Sequence, residues 1–495
     1  MPDRFPPRRL GYRAPQGTGD GEGHVTGAKR APRIVVIGAG PTGLGAAHRL
    51  REIGFDDYVV LEAGSEAGGL ARSYQDDAGF TYDIGGHVFF SHYEYYDRVV
   101  EGALAGEYTE LDREAWVWIE GRFVRYPFQN SLNDLDPETT LECVMGLVEA
   151  ERRPPARVTS FAQWMEQAFG AGITRHFMRP YNTKVWATPP ELMSCGWIAE
   201  RVAVVDLRAV LRRIICGDDT EPWGPNGRFR YPLRGGTGAL CNKVAEPLLD
   251  HIAFGCSVVA VDPREKTVRT ADGRRWHYDL LLSTMPLNQL VDAIEHVPDP
   301  VRAAAAQLAW TAGHIVGVAL DRPAGTDKNW VYFPEPSVPF YRVTYLSNYS
   351  PLMTPAPDQT LLLAEVSRSP GDATDAGTIV DDVIAGLIQT GLMAADDRAR
   401  LVATWLHSPR MTYPIPTLGR DAALAAIHPW LWERDIASRG RFGAWLYEIG
   451  NMDHSFMQGV EWVDHVLCGE PEQTWKPPPT AHAVVASPAS NCVRQ

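Results

Sequence analysis

The chain has 495 residues, of which 45% are hydrophobic and 22% are charged, a composition typical of a globular protein with about two to four domains. Its formal net charge of −14 argues against a nucleic-acid-binding protein, which would carry a basic surface. No apolar stretch approaches the roughly 18 residues of a membrane-spanning helix, and no apolar signal-peptide segment begins the chain, so we expect no membrane partner.

The seven cysteines form no CxxC pair, and the 14 histidines show neither an HExxH motif nor a Cys/His ladder. An odd number of scattered thiols is typical of a reducing compartment. The sequence therefore predicts a cytoplasmic protein with no metal site.

Both ends of the chain differ from its middle. Residues 1–30 are rich in Arg, Pro and Gly without hydrophobic periodicity, which predicts a disordered extension. Residues 473–495 contain a proline run followed by small residues, which predicts a tail.

The first predicted element of the folded region is a short apolar strand, residues 34–37, followed by Gly38-x-Gly40-x-x-Gly43 and a helical segment. Glycines at this spacing allow a tight turn, a close approach to a pyrophosphate, and close packing of helix on strand. A second apolar strand ends in Glu62, roughly 20 residues on, where a carboxylate meets a ribose hydroxyl. The pattern predicts a dinucleotide site.

A glycine pair after the second strand, Gly68-Gly69-Leu70, distinguishes FAD from NAD. It resembles the flavin variant of the fingerprint, in which the chain reaches the cofactor a second time. We therefore expect bound FAD.

Further along, a strand and turn are predicted at 79–86, helices over 137–215, and strands over 229–284 and 310–366. A buried strand ending at Thr284 is typical of a return to the nucleotide domain, and a helix is expected to begin near Ser455. The predicted fold is α/β, with a discontinuous Rossmann-like FAD-binding domain, a helical insert and a mixed or antiparallel β-sheet domain. The expected boundaries are 31–125, 226–300 and 405–472 for the FAD-binding domain, 126–225 for the helical domain, and 301–404 for the β-sheet substrate domain.

Three residues have a local setting that suggests a ligand. His87 follows a glycine turn that marks either a structural histidine or a mobile loop over a ligand. Arg201 and Arg342 are flanked by apolar or aromatic residues, where a planar guanidinium suits a phosphate. A surface ion pair is the alternative for each arginine.

Aromatic side chains stand beside amides in two places, Tyr126 with Gln129 and Asn182 with Trp186. They predict either capped core aromatics or a pocket in which a ring stacks on a base and an amide reads its edge. No Ser, Cys or Lys nucleophile and no paired-carboxylate motif is evident. An enzyme with this sequence would rely on the cofactor for its chemistry.

Several long segments resemble the UDP-galactopyranose mutase family, of the eukaryotic type. The resemblance runs from about residue 31 to residue 470 and leaves both tails outside. Its most specific segments are RHFMRPYNTKVWATPPELMSCGWIAERVAV (175–204), EPWGPNGRFRYPLRGGTGAL (221–240) and SRGRFGAWLYEIGNMDHSFMQGVEWVDHVL (438–467).

The resemblance implies an isomerase that interconverts UDP-galactopyranose and UDP-galactofuranose. In that family FAD must be reduced, its N5 attacks the anomeric carbon, and no net redox change occurs. A UDP-sugar is the implied substrate and NADPH the implied reductant, and a homo-oligomer is compatible with the resemblance.

The resemblance also implies roles for individual residues. Catalytic roles fall to His87 beside the flavin ring and to Arg201 and Arg342 on the diphosphate. The implied substrate-binding residues are Tyr126, Gln129, Asn182, Trp186, Asn226, Trp330, Tyr332, Tyr413, Tyr447 and Asn451. The implied cofactor-binding residues are Gly38, Gly40, Gly43, Glu62, Gly68, Gly69, Leu70, Arg441, Asn451 and Met452.

Met452 departs from the family, in which glutamine is expected beside the flavin. Three alternatives to the galactose mutase stay open: a mutase for a different nucleotide sugar, an FAD-dependent oxidase or desaturase, and a non-catalytic FAD-bound scaffold. An oxidase would need an apolar substrate tunnel and would give the paired arginines no purpose.

Overall fold

The computed structural model describes residues 31–154, 156–198, 202, 205–217, 227–372 and 377–476. The predicted extension at 1–30 and most of the predicted tail lie outside this range. The strands are β1 Ile34–Ile37, β2 Tyr58–Leu61, β3 Ser73–Gln75, β4 Thr81–Asp83, β5 Tyr108–Asp112, β6 Ala115–Ile119, β7 Arg122–Arg125, β8 Arg228–Pro232, β9 Ile252–Ala253, β10 Val258–Asp262, β11 Thr267–Thr270, β12 Arg275–His277, β13 Leu280–Ser283, β14 Trp310–Leu320, β15 Trp330–Tyr332, β16 Arg342–Tyr345, β17 Thr360–Arg368, β18 Leu401–His407, β19 Tyr413–Pro414 and β20 Ile436–Ser438. The helices are α1 Pro41–Glu52, α2 Glu94–Leu104, α3 Pro137–Arg152, α4 Phe161–Ile173, α5 Arg179–Trp186, α6 Leu207–Cys216, α7 Gly238–Ala245, α8 Leu287–Ala293, α9 Asp299–Ala305, α10 Ile379–Gln389, α11 Arg420–Trp432 and α12 Met452–Val463.

A five-stranded parallel sheet has the strand order β20-β13-β1-β2-β9 and lies between two layers of helices. Successive side chains of β1 point to opposite faces. Ile34 and Val36 pack in a core with α1, α7 and α12, whereas Val35 and Ile37 pack in a core with α8, α9 and α11. Both faces of the sheet are therefore covered, as parallel sheets require, and the predicted Rossmann-like domain is confirmed.

A large mixed sheet follows the order β18-β14-β17-β16-β15-β6-β7, with β19 also paired to β14. Its pairs are antiparallel except β15 with β6. β6 and β7 belong to this sheet, although the boundaries above placed residues up to 125 in the FAD-binding domain. The local sequence did not predict this, because β6 pairs with β15, more than 200 residues further along the chain.

Helices α3 to α6 form the insert between β7 and β8. Side chains of Asp136 and Ser160 cap α3 and α4 by accepting hydrogen bonds from backbone N–H groups. α3 and α4 approach closely at glycines, because a Cβ on Gly146 would lie 2.9 Å from the Gly172 nitrogen.

Two predicted boundaries shift slightly. The last helix begins at Met452 rather than near Ser455, with Asn451 in the cap position, and the returning strand ends at Ser283. Among the described helices, none combines the length and apolar character needed to cross a bilayer.

Candidate active site

A cavity of about 1990 Å³ lies where the parallel sheet, the helical insert and the large sheet meet. Most residues predicted for cofactor and substrate line it together. They are Gly38, Gly40, Glu62, Gly69, Leu70, His87, Tyr126, Gln129, Asn182, Trp186, Trp330, Tyr332, Arg342, Tyr413, Arg441, Tyr447, Asn451 and Met452. Arg201 and Asn226 lie outside the described residues.

The dinucleotide end of the cavity is built from backbone. Gly38 has a φ of +96° at the turn from β1 into α1. A Cβ on Gly43 would lie 1.9 Å from the Gly38 carbonyl oxygen, so this helix can pack against the turn only with glycine there. Gly68, at φ +110°, donates its N–H to the Ala39 carbonyl and brings the second glycine pair against the first.

Glu62 is fixed at the end of β2. Its two carboxylate oxygens accept hydrogen bonds from the backbone N–H groups of Ala39 and Gly64, each at 2.7 Å. The carboxylate lines the cavity and keeps further lone pairs for a ribose hydroxyl.

These features fit FAD. A Cβ on Gly69 would lie 3.4 Å from the Cα of Gly40, so two glycine backbones touch and leave an open wall at the N-terminus of α1. A helix N-terminus of this kind suits a pyrophosphate.

The glycine turn before His87 is also close-packed. A Cβ on Gly86 would lie 2.5 Å from Oγ1 of Thr344 in the large sheet. Burial, and then the Arg441 guanidinium, lower the pKa of His87 to about 4, so its imidazole is neutral at pH 7. The buried Nδ1 of His87 makes no hydrogen bond within the described part of the chain.

The segment that carries Arg441 and Asn451 is held by one buried amide. Gln458 of α12 accepts a hydrogen bond from the Gly440 N–H at 2.8 Å and donates to the Ile449 carbonyl at 2.9 Å. Sequence reasoning missed this residue, because a lone glutamine in an amphipathic helix gives no signal.

Arg342 lies on β16 directly opposite Glu365 of β17. Its Nε and Nη2 donate to the two carboxylate oxygens at 2.5 and 2.9 Å, and the Glu365 side chain is only 3% exposed. The Nη1 donors remain for a ligand in the cavity, since they make no hydrogen bond among the described residues. Arg342 is therefore already paired with Glu365 before any ligand binds, which the sequence did not predict.

Glu365 connects several parts of the site. It also accepts the Tyr341 hydroxyl at 2.7 Å and the Gly86 N–H at 3.1 Å. Burial alone would raise the pKa of Glu365, but the Arg342 guanidinium and the hydrogen bonds from Tyr341 and Gly86 together lower it, so the carboxylate is charged. A single acid within the apolar run of β17 was the signal that could have identified it.

Aromatic rings enclose the opposite part of the cavity. Tyr126 lies 4.9 Å from Tyr332, measured between ring centroids, and Tyr332 lies 5.3 Å from Tyr181. Trp186 packs edge-on against Tyr447 at 4.8 Å and lies 5.8 Å from Tyr413.

The two predicted amides lie in the same region. Gln129 is buried and lines the cavity. Asn182 donates its Nδ2 to the Met178 carbonyl one turn earlier in the chain, at 2.7 Å, which fixes the orientation of the amide.

Arg113 is a second cation in the site, and the sequence did not predict it. Its guanidinium carbon lies 4.9 Å from the ring of Trp330 and 5.7 Å from that of Tyr126. The residue lies in the turn between β5 and β6, where nothing in the local sequence marks it.

Comparison with known proteins agrees with this geometry. Residues 41–414 match the family described as flavin containing amine oxidoreductase. A crystal structure of reduced UDP-galactopyranose mutase shares 41% sequence identity over 90% of this chain and 96% of that chain, with a TM-score of 0.87.

The chain belongs to the UDP-galactopyranose mutase family.

More distant structures share only the fold. A putative protoporphyrinogen oxidase from Exiguobacterium sp. 255-15 is 17% identical, with a TM-score of 0.69 over 90% of this chain and all of that chain. A putrescine oxidase is 18% identical, with a TM-score of 0.60 over 88% of this chain and 98% of that chain. As a member of the UDP-galactopyranose mutase family, the protein is an FAD-binding isomerase.

Proposed function

We propose that this protein interconverts UDP-galactopyranose and UDP-galactofuranose while its FAD is reduced. The observation that carries the proposal is the position of Arg342, whose partly buried guanidinium lines the same cavity as the glycine cradle. A cation for a diphosphate therefore lies in one chamber with the cofactor site. The solved mutase at 41% identity supports this assignment.

The bound, reduced FAD supplies a nucleophilic N5 for the anomeric carbon of the sugar. The protein has to hold the sugar beside that atom and stabilise the departing UDP. Charge develops on the diphosphate as the anomeric bond breaks, and fixed donors in a site with little water stabilise it strongly.

Arg342 is positioned for that task by Glu365, which holds two of its nitrogen atoms. Tyr332, Tyr413 and Tyr447 would add hydroxyl donors, and all three line the cavity. We assign Arg201 to the same diphosphate on the basis of its motif.

The uridine would lie in the aromatic region. Tyr126 would stack on uracil while Gln129 reads its edge, with Asn182 and Trp186 lining the nucleotide. Trp330 would face the sugar, as would Asn226 on the basis of its motif. The short ring separations around Tyr126 support a preformed stacking surface.

The remaining predicted residues would orient the flavin. Neutral His87 can lie against the ring without adding charge, while Arg441 and Asn451 would bind its polar edge. Met452 lines the cavity at the first position of α12. A thioether there, in place of an amide, removes hydrogen bonds that a flavin would otherwise receive.

For the reductant we propose NADPH. The support is the cluster of cations at the aromatic end, where Arg113 lies over Trp330 and the Arg125 guanidinium carbon lies 5.8 Å from the ring of Trp116. All four residues line the cavity. Anaerobic reduction of the flavin should be at least about tenfold faster with NADPH than with NADH, because one charge-assisted phosphate contact contributes about 1.5–3 kcal/mol.

The decisive experiment incubates the protein with UDP-galactofuranose under anaerobic conditions, with the flavin either reduced or oxidised. Formation of UDP-galactopyranose only in the reduced sample is expected. Without conversion, retained UDP binding would indicate a different nucleotide sugar, whereas loss of UDP binding would favour the oxidase alternative.

A further inference from the structure

Three side chains with metal-ligating atoms meet in the cavity wall. His92 follows the His87 loop, and Asp453 and His454 lie in the first turn of α12. The structure brings together residues that are 361 positions apart in the chain. None of them has a role in the reaction proposed above.

Asp453 organises the cluster. Its side chain is 1% exposed, and its two carboxylate oxygens each bond one imidazole, Oδ2 to Nδ1 of His92 and Oδ1 to Nδ1 of His454, both at 2.9 Å. The His92 backbone N–H also donates to Oδ2 at 3.3 Å. Both rings are therefore held against one buried anion, with their centroids 5.1 Å apart.

We propose that His92, Asp453 and His454 bind one divalent transition-metal ion of the zinc class. Two imidazole nitrogens and one carboxylate are a preferred ligand set for such ions, with water completing the coordination. The nearest donor atoms all lie within 4.8 Å of one another, with two separations of 2.9 Å. Tetrahedral ligands at ordinary Zn–N distances are separated by about 3.3 Å, which lies between these values.

An imidazole in its neutral form binds an ion without losing a proton. Each imidazole moves its proton from Nδ1 to Nε2, and the freed Nδ1 lone pair turns to the ion. Among the described residues, no hydrogen bond holds either Nε2, so the second tautomer is available to both rings.

The cluster also has an entry path. The side chain of His92 is 37% exposed and that of His454 is 16% exposed, whereas Asp453 is enclosed. An ion can reach the carboxylate between the two rings, which line the cavity wall. The competing explanation is that two histidines simply satisfy a buried carboxylate, and the experiment separates the two.

The test titrates Zn²⁺ into the full-length, FAD-loaded protein after treatment with a chelator, using isothermal titration calorimetry. One ion per chain is expected for the parent, and His92→Gln and His454→Gln should each weaken binding at least about tenfold. His277→Gln is the matched control, because His277 is an exposed histidine on β12 outside the cluster. It should bind like the parent.

No uptake of one ion by the parent, or equal affinity in the parent and both cluster variants, would overturn the proposal. The FAD content of each variant shows whether it folds. If neither variant folds, the parent alone decides, because the chelator-treated parent must itself take up one Zn²⁺ per chain. None of these readouts depends on sugar conversion.

Discussion

The two ends of the cavity are constructed in different ways. The dinucleotide end uses backbone groups from a continuous stretch, in which Gly38, Gly40 and Gly69 form the wall and Glu62 is fixed by two N–H groups. The opposite end uses side chains from the helical insert and the large sheet. There Glu365 of the neighbouring strand accepts two hydrogen bonds from Arg342 and holds its guanidinium in place.

This difference has a physical consequence. A wall made of backbone is disrupted by any added side-chain atom, but its shape does not depend on the surrounding polar side chains. A side-chain wall tolerates small steric changes but depends on each charge having its partner. Substitutions at the dinucleotide end should therefore reduce FAD occupancy, whereas substitutions at the opposite end should reduce kcat/KM or UDP binding.

The largest effect is expected for Gly43→Ala. Its Cβ would collide with the Gly38 carbonyl, a backbone atom that cannot move aside. Overpacking of this kind costs about 1–3 kcal/mol or more, and we expect the purified variant to lack FAD. Flavin absorbance relative to protein absorbance measures the loss.

Gly102→Ala is the control for that variant, because no atom lies within 4 Å of a Cβ at this position in α2. It should retain FAD and unfold at the parent temperature or slightly above it, as helical Ala is favoured over Gly by about 0.8–1 kcal/mol. Full FAD occupancy in Gly43→Ala would contradict the proposed backbone wall.

Arg342→Lys should have the next largest effect, at the side-chain end. Lysine keeps the charge beside Glu365 but loses the fork that bonds both oxygens and the ligand. We expect kcat/KM for UDP-galactofuranose to fall roughly ten- to a hundredfold, corresponding to about 1.5–3 kcal/mol, while FAD occupancy stays at the parent level.

The matched control is Arg322→Lys, which alters a similar partly buried pair with Asp397 outside the cavity. It should lower stability without lowering kcat/KM. Equal losses of kcat/KM in the two variants would show that the Arg342 effect is structural.

Tyr126→Ala should weaken UDP binding by about 1–3 kcal/mol, the range for a base stacked on an aromatic ring. Tyr126→Phe keeps the ring and should bind UDP within a few-fold of the parent. Calorimetry with UDP compares them. Equal affinity in Tyr126→Ala and the parent would remove the stacking role.

The smallest effect at neutral pH is expected for His428, a buried residue that does not line the cavity and that affects stability only in acid. Burial, and then Arg439, lower the pKa of His428 on α11 to about 3, well below its ordinary value of 6.5. The folded state favours the neutral ring, so its stabilising contribution is complete above pH 6.5 and is lost as pH falls from there toward about 3.

Replacing this group should flatten the pH dependence. His428→Leu removes one proton taken up on unfolding, about 1.4 kcal/mol per pH unit within that window. Urea unfolding at several pH values below 7 measures the slope, and a slope equal to that of the parent would contradict the assignment. His87, whose pKa is lowered to about 4, should give a similar slope between about pH 6.5 and pH 4.

The secondary structure of the dinucleotide end was predicted correctly from local sequence. The strand before Gly38, the helix after it and the buried strand ending at Ser283 all form as expected, because turn geometry and apolar runs are encoded within a few residues. The helical insert was also predicted from its periodicity. The membership of β6 and β7 in the large sheet was not, since no local pattern specifies a partner strand so far away.

Within the candidate site, the resemblance to the mutase family supplied residues that geometry then placed in one cavity. Arg113, Gln458 and Glu365 were not predicted, because each acts through contacts with residues outside its own secondary-structure element. The absence of a metal site stays a prediction; it considered only ligands at short spacing, whereas His92 and Asp453 meet only through folding.

The sequence by itself determined an FAD fingerprint, an α/β fold with a helical insert, and membership of a nucleotide-sugar mutase family. Tertiary structure alone decided which buried charges face each other. It places Glu365 between Arg342, Tyr341 and Gly86, and it sets Asp453 between two histidines. Turns and apolar strands are local properties of the chain, whereas a buried charge is stable only beside a partner that the fold brings to it.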